Sequence, residues 1–557
     1  MTLFAFVADD FTGATDALWQ FRRYGLTGSL VTDARRLHDR ADVIGLATTA
    51  RAADDPVPVA LPALRAVAAL CPLAVQYKIC STFDSAPERG SIGAVIAALH
   101  RAGLADGPVP VLAAQPEFGR YTWYANHFVR SGDDVLRLDR YPPARDHPVT
   151  PAREADLRIR LAEQGAGPVG RLPAGATRDR YLALRGHAAF VADATTDDHV
   201  HALGRLLLAD ALTTLPEGAP SASGARGTGR SAFAASSAGS SPVASAGSST
   251  LSEALPGGSA PGGSAFAASA HPAGASTGSE ALSGGAPSGA GRRVLWCVGS
   301  GGMSQALASA AAWWRSGTAA PAEPAWSEPG PERGPADPEP QPAGPERGPA
   351  GPGPALTGPG LAPTGPGLAP TGPGLAPTGP GLAPADAGLV PAGPELGPAG
   401  PVLVVSGSRS PVTARQIATA AEAGWAVVDA SEGMAAIAAA EVSLRAGRHT
   451  IVQTTLGPER DPDGIGDLLG RVAAASVAAG LTRRLVVAGG DTSGQVVTAL
   501  GAHALDVVAS LAVGGPVCVL AADDPAFDGL EVALKGGQVG GDDFFLRAAA
   551  GSARRLH

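Results

Sequence analysis

The run Leu3-Phe-Ala-Phe-Val-Ala8-Asp9-Asp10-Phe11-Thr12-Gly13-Ala14-Thr15-Asp16-Ala17 decides the fold class. A short apolar stretch stops at two acids, turns through Phe-Thr-Gly and continues as a helix. This strand–turn–helix grammar opens a βαβ unit. It recurs at Val43–Ala47, Leu73–Lys78, Val109–Ala113 and Ala189–Ala192, each followed by an Ala/Leu/Arg-rich helical stretch. It resumes after Pro401 with strands Val402–Val405, Trp425–Asp429, His449–Thr454 and Arg484–Ala488 and helices Thr413–Ala423 and Ile465–Ala479. The chain is therefore expected to be α/β: two α/β domains with mainly parallel sheets, separated by low-complexity disordered segments.

The 557 residues include 75 Gly and 50 Pro, concentrated in two stretches. Residues 217–291 are nearly all Ser, Gly, Ala and Pro, a composition that cannot bury enough apolar surface to offset its ordering entropy. Within 316–400 the heptapeptide Thr-Gly-Pro-Gly-Leu-Ala-Pro runs four times in tandem, from Thr357 to Pro384. Such units are too short and too rich in Pro and Gly for a solenoid repeat, so a semi-extended linker is expected. The expected division is an α/β domain over 1–216, the insert over 217–291, a globular island over 292–315 that completes the first domain or serves as a hinge, the linker over 316–400, and a second α/β domain over 401–557.

A net charge of −9 and the lack of any Lys/Arg-rich helix face argue against a nucleic-acid partner. Cys71, Cys80, Cys297 and Cys518 lie far apart without metal-ligand spacing, and reduced, buried thiols are expected. The first residues lack a basic region, and acids interrupt their apolar run, so they read as a strand rather than a signal peptide. The apolar stretch around Leu511–Ala522 is broken by Gly and Pro and too short for a bilayer. These features lead to the expectation of a cytoplasmic protein with no membrane partner.

Chemistry-bearing residues cluster at strand ends, where α/β sheets bind ligands. Asp9 and Asp10 follow the first strand, and Thr12 and Gly13 open the helix; an N-cap needs only one of these acids. A second cluster, Lys78-Ile-Cys80-Ser81-Thr82-Phe83-Asp84, offers hydroxyls, a cation and a carboxylate suited to a polyhydroxylated anion, a Ser/Thr-rich turn being the alternative. Arg51, equally readable as a solvated side chain, follows another strand. Arg120, in Phe118-Gly119-Arg120-Tyr121-Thr122, can pair bidentately with a carboxylate. His127 and His147 are weaker signals. After Pro401, three small-residue loops follow strands: Ser406-Gly407-Ser408-Arg409-Ser410, Gly489-Gly490-Asp491-Thr492-Ser493-Gly494 and Lys535-Gly536-Gly537-Gln538-Val539-Gly540. Backbone N–H groups in such loops, with the helices behind them, can surround phosphate oxygens, although none has the P-loop pattern.

Taken together, Ala8-Asp9-Asp10-Phe-Thr12-Gly13-Ala14, the Ser408/Ser410 loop, Ala488-Gly489-Gly490-Asp491-Thr492-Ser493-Gly494 and Lys535-Gly536-Gly537 resemble the four-carbon acid sugar kinase family. The resemblance covers nearly all of the globular sequence and stops at the two biased segments. The run from Lys78 to Ser85 is similar to the 3-oxo-tetronate kinase branch, as are Gly119–Thr122 and His147–Pro151. The sequence departs from the family pattern at Asp491, where Glu is usual, and in Lys-Gly-Gly-Gln-Val-Gly, where Lys-Ser-Gly-Asn-Phe-Gly is usual. The stretches Gly457–Asp467 and Gly515–Gly529 are also shortened.

The resemblance implies a sugar-acid-binding first domain, an ATP-binding second domain, and transfer of phosphate to the 4-hydroxyl of 3-oxo-tetronate or a closely related four-carbon sugar acid. It implies ATP and Mg²⁺ as cofactors. Asp9 or Asp10 would be the catalytic base, and Thr12, Arg51, Lys78, Ser81, Thr82, Asp84, Arg120 and His147 would bind the sugar acid. Ser408, Ser410, Gly489, Gly490, Asp491, Thr492 and Gly537 would bind nucleotide, with Asp491 on the metal. A homo-oligomer is compatible with this reading. Competing readings are a threonate or erythronate kinase, a non-catalytic sugar-acid sensor, and a dinucleotide-dependent oxidoreductase using Gly299-Ser-Gly301-Gly302.

Overall fold

The structure is a computed structural model in which residues 2–147, 149–213, 293–317, 396–456, 462–551 and 554–555 are described. The expected Ser/Gly/Ala insert and nearly all of the repeat linker lie outside these residues, as does the start of the shortened Gly457–Asp467 stretch. The amino-terminal half contains β1 (Phe4–Ala8), α1 (Phe11–Arg22), β2 (Gly28–Val31), β3 (Val43–Ala47), α2 (Val57–Ala68), β4 (Ala74–Lys78), α3 (Ile92–Arg101) and β5 (Val109–Leu112). It continues through β6 (Arg120–Trp123), β7 (Asn126–Ser131), β8 (Asp134–Arg137), α4 (Pro142–Arg145), α5 (Leu157–Glu163), β9 (Val169–Leu172), α6 (Arg178–Leu182), β10 (Ala189–Ala192) and α7 (Asp197–Thr213). The island supplies β11 (Leu295–Gly299) and α8 (Gly301–Ser316).

The carboxy-terminal half runs β12 (Val402–Ser406), α9 (Pro411–Glu422), β13 (Ala426–Asp429), α10 (Met434–Arg445), β14 (Thr450–Gln453), α11 (Pro462–Ala478), β15 (Arg484–Ala488) and α12 (Gly490–Ala499). It ends with β16 (Ala502–Ala512), β17 (Gly515–Ala522), β18 (Glu531–Lys535), α13 (Phe544–Ala550) and β19 (Arg554–Arg555).

Every strand expected from the sequence is present, with ends shifted by a residue or so. Strands β1, β3, β4, β12 and β15 are buried along their whole length, as parallel strands covered on both faces must be. The amino-terminal half is an all-parallel set in the order β2-β3-β1-β4-β11-β5-β10-β9, with β11 inserted between β4 and β5. The carboxy-terminal half is parallel from β13 through β14, β12 and β15 to β18, after which β17 and β16 turn antiparallel.

The two sets are joined edge to edge. Ala504 and Leu505 of β16 pair antiparallel with Val31 and Leu30 of β2, giving a single 16-stranded sheet. A three-stranded meander, β6-β7-β8, stands apart.

All four cysteines are free. Cys297 and Cys518 are buried as expected, but Cys71 is exposed, at a positive φ of 53° just past the end of α2. Among the described residues no helix is long and apolar enough to cross a membrane.

Candidate active site

Strands β1 and β3 are parallel neighbours in register, with Ala8 opposite Ala47, so their carboxyl ends lie side by side. Asp9 and Asp10 leave the first, and Arg51 leaves the turn after the second. The Arg51 guanidinium is shared between them: Nη2 donates to Asp9 Oδ1 at 2.6 Å, Nε to Asp9 Oδ2 at 3.2 Å, and Nη1 to Asp10 Oδ2 at 2.7 Å. Asp10 also caps α1, its Oδ1 accepting from Gly13 N at 2.7 Å. A methyl on Gly13 would stand 2.5 Å from Asp10 Oδ1 and 2.9 Å from Lys78 Nζ, so Lys78 completes a buried cluster of two acids and two cations. Burial lifts the Asp9 carboxyl to about 6, against the opposing pull of Arg51. The same carboxylates, outweighing desolvation, hold the Arg51 guanidinium firmly charged.

Removing the guanidinium would take the hydrogen-bonded partner from two adjacent buried carboxylates and leave them Lys78 alone as a nearby cation. Arg51→Met is expected to lose about 3–5 kcal/mol in urea unfolding. An unchanged midpoint would mean that the pairing carries no structural weight.

The second expected cluster forms beside the first. Thr82 Oγ1 donates to Asp84 Oδ1 at 2.7 Å, and Cys80 Sγ lies 3.0 Å from Thr82 Oγ1. Burial works to raise the Asp84 carboxyl, but His147, Arg51 and the local hydrogen bonds prevail and hold it below the usual range. His147 Nδ1 accepts from Thr150 N at 3.0 Å, which anchors the ring to the turn that follows it.

Between these residues Phe83, fully buried, adopts φ 55°, a left-handed conformation unusual for a bulky side chain and often found at ligand sites. Two residues fix that turn. His127 Nε2 lies 2.8 Å from the Ser81 carbonyl, and its imidazole is kept neutral by burial, at about 3. Arg160 stacks over the Phe83 ring at 5.3 Å and donates to the Ser85 carbonyl at 2.8 Å. Arg160 was not legible from sequence, since a lone Arg on a helix ordinarily reads as solvated.

Arg120 is 5% exposed, stacks on Phe118 at 4.7 Å and donates to the Phe118 and Gly119 carbonyls, while its Nε has no partner. It lines a cleft of about 490 Å³ whose other wall comes from Pro411, Val412, Arg415 and Gln538 of the carboxy-terminal half. Thr12 lies in the contact between halves rather than with the other candidate sugar-acid residues: its hydroxyl donates to Ser493 Oγ at 3.1 Å.

The three small-residue loops after Pro401 converge. Gly489, at φ 128°, precedes α12, whose first residue is Gly490. Ser410 caps α9 through Val412 N, and Ser408 Oγ accepts from Ser410 N at 3.3 Å. A methyl on Gly537 would stand 2.7 Å from Ser408 Oγ and 2.8 Å from Ser410 Cβ. Thr492 Oγ1 lies 3.0 Å from where a methyl on Gly489 would stand. Asp491 is exposed in the first turn of α12.

The position of a Gly490 methyl would be 3.3 Å from Asp10 Oδ2 and 3.8 Å from Arg51 Nη1, so the second loop rests on the paired acids of the other half. Since β16 and β2 are antiparallel, the two parallel sets run in opposite senses, and this contact brings their carboxyl ends face to face. By contrast, Gly301 and Gly302 are buried where α8 begins: a methyl on Gly301 would meet Asp16 and Gln115, and one on Gly302 would meet the Ala114 carbonyl. A dinucleotide pyrophosphate has no room there. Among the described residues no three His, Cys, Asp or Glu side chains group as a metal site.

A family model described as a sugar-binding N-terminal domain matches residues 4–226, and one described as a nucleotide-binding C-terminal domain matches residues 403–545. The chain belongs to the four-carbon acid sugar kinase family. A 3-oxo-isoapionate kinase from Paraburkholderia graminis is 28% identical over 98% of this chain and 93% of its own length. A 3-oxo-tetronate kinase from Methylobacterium radiotolerans is 36% identical over 36% of this chain and 49% of its own. These relatives mark the protein as a kinase of sugar acids. A chain of known structure from Salmonella typhimurium LT2 superposes with TM-score 0.57 at 19% identity, covering 98% of both chains. Haemophilus influenzae protein HI1011 gives 0.51 at 18%, also over 98% of both. At these identities the likeness concerns the fold.

Proposed function

We propose that the protein transfers the γ-phosphate of ATP to the 4-hydroxyl of a 3-oxo four-carbon sugar acid, with 3-oxo-tetronate as the preferred acceptor. The observation that carries this reading is the seating of Gly490, in a phosphate-type loop, directly against Asp10 and Arg51. Phosphoryl transfer needs chiefly in-line positioning and charge stabilisation, and two groups of opposed strand ends supply the positioning. The amino-terminal half holds the acid, with Ser81, Thr82 and Asp84 facing its hydroxyls and Lys78 or Arg120 its carboxylate. The loops around Ser408, Ser410, Gly489, Gly490, Thr492 and Gly537 surround the phosphates with backbone N–H groups and the positive ends of α9 and α12. Asp10 takes the proton of the attacking hydroxyl, with Asp9 as its alternate.

Mg²⁺ is usually held by one or two carboxylates together with phosphate oxygens and water, and the exposed Asp491 beside the loops fits that requirement. An ion held there would neutralise charge on the phosphates.

The likeness to a 3-oxo-isoapionate kinase over nearly the whole chain supports a second reading, in which that acid is the acceptor. A coupled ADP-release assay with 3-oxo-tetronate, 3-oxo-isoapionate, threonate and erythronate separates the readings. A pocket that hydrogen-bonds one oxygen pattern leaves polar groups unpaired with the wrong ligand. 3-Oxo-tetronate is therefore expected to exceed threonate and erythronate in kcat/KM by at least about a hundredfold, roughly 2.7 kcal/mol of transition-state discrimination. Equal values would overturn the branch assignment, and no ADP with any acid would favour a non-catalytic sensor.

A further inference from the structure

Lys535 ends β18 with no exposed surface at all. Its Nζ donates to Thr413 Oγ1 at 3.2 Å, and two aromatic rings, Phe544 and Phe545, lie 5.8 and 5.9 Å from the ammonium. Thr413 Oγ1 in turn lies within hydrogen-bond reach of Ser408 Oγ, at 3.2 Å, and of the Gly537 carbonyl, at 3.1 Å. The Lys535 carbonyl accepts from Gly489 N at 3.0 Å. One residue therefore touches all three small-residue loops: the first through Thr413, the second through its own carbonyl, and the third by beginning it.

No carboxylate pairs with Lys535 among the described residues. The elements packed around it carry Asp16 and Arg22 on α1, Cys518 on β17, Arg415 and Glu422 on α9, Arg484 on β15, Asp491 on α12 and Arg547 on α13. Arg484 is engaged by Glu531 of β18 itself, and Arg415 by Asp542. None of these charges perturbs the lysine; burial alone does, lowering its pKa to about 7. A buried ammonium without a counter-ion is unfavourable, and a charge of opposite sign brought nearby favours the charged form.

We propose that Lys535 is the buried counter-charge of the nucleotide's phosphates, and that its amine takes a proton from solvent as they settle into the loops above it. This rests on the reading that those loops hold ATP. Below about pH 7 the free protein already carries the proton, so affinity is full; as pH rises above 7 the proton must be acquired on binding, and affinity falls until the pKa of the complex is passed.

The test is calorimetric titration of the full chain with MgADP near pH 8, in buffers of different ionisation enthalpy, together with Kd from about pH 7 to 9. Wild type is expected to take up roughly half a proton or more and to bind more weakly as pH rises. Lys535→Met is expected to bind MgADP about tenfold or more weakly at pH 7, with negligible proton uptake and a Kd flat with pH, whereas a purely structural role would weaken binding equally at every pH. If that variant does not fold, the wild-type buffer dependence decides alone. MgADP binding to wild type without proton uptake, or uptake unchanged in the methionine variant, overturns the proposal and leaves the nucleotide reading standing. No MgADP binding to wild type overturns both.

Discussion

Mg·ATP is expected to raise the melting temperature of the wild-type protein and to leave that of Gly490→Leu unmoved. A ligand that binds only the native state stabilises it by mass action, by about 2.7 kcal/mol at a hundred times its Kd. Gly490 begins α12, where free N–H groups and the helix dipole favour phosphate. Its added Cβ would already stand 3.3 Å from Asp10 Oδ2, and the rest of a leucine side chain extends into the space between the loop and the paired acids. The variant is expected to fold, since the position is part of a helix and carries no positive φ. Its kcat/KM should fall at least about a thousandfold, roughly 4 kcal/mol of transition-state stabilisation. A thermal shift of wild-type size in this variant would mean that the nucleotide sits elsewhere.

The second large effect separates the two duties of Asp10. Asparagine caps helices about as well as aspartate, so Asp10→Asn should keep the bond from Gly13 N and lose chiefly the charged contact with Arg51 Nη1, about 1.5–3 kcal/mol. It cannot accept a proton, and kcat should drop by about 10²–10⁴. Asp10→Ala should lose both cap and activity. If Asp9 accepts the proton instead, activity should survive in Asp10→Asn and climb with pH as the buried Asp9 ionises, levelling off below the wild-type value of about 6 because the Asp10 charge that helps raise Asp9 is gone. Undiminished kcat in the asparagine variant would thus move the role to Asp9.

Much of this was legible from sequence because the signals were local. Val43–Ala47, Ala189–Ala192 and Arg484–Ala488 begin and end in the structure where the sequence sets them, because each is a fully buried run, apolar apart from Arg484, between polar turns. Asp9, Asp10 and the glycine loops announced themselves by position at strand ends. What joins them did not. The pairing of Arg51 with both acids depends on the β1–β3 register, and from sequence a solvated arginine was equally compatible. The joining of the two sheets depends on two residue pairs between β2 and β16, far apart in the chain and without a local pattern. Lys535 stands in a recognisable glycine-rich run, but only tertiary packing encloses it, and no local pattern announces that.

The place of β11 bears on how the protein is made. Strands β4 and β5 leave the ribosome early, yet they do not pair with each other: β11 lies between them, and it is encoded beyond the long Ser/Gly/Ala stretch. At translation speeds of 5–20 residues per second, a nascent chain waits on the order of ten seconds between finishing β5 and delivering its partner. Throughout that interval the facing edges of β4 and β5 have unmet backbone groups, the condition in which strands pair with neighbouring chains. A fragment ending at Thr213 would be held permanently at that stage, whereas one extended through Ser316 includes the missing strand and the helix that follows it.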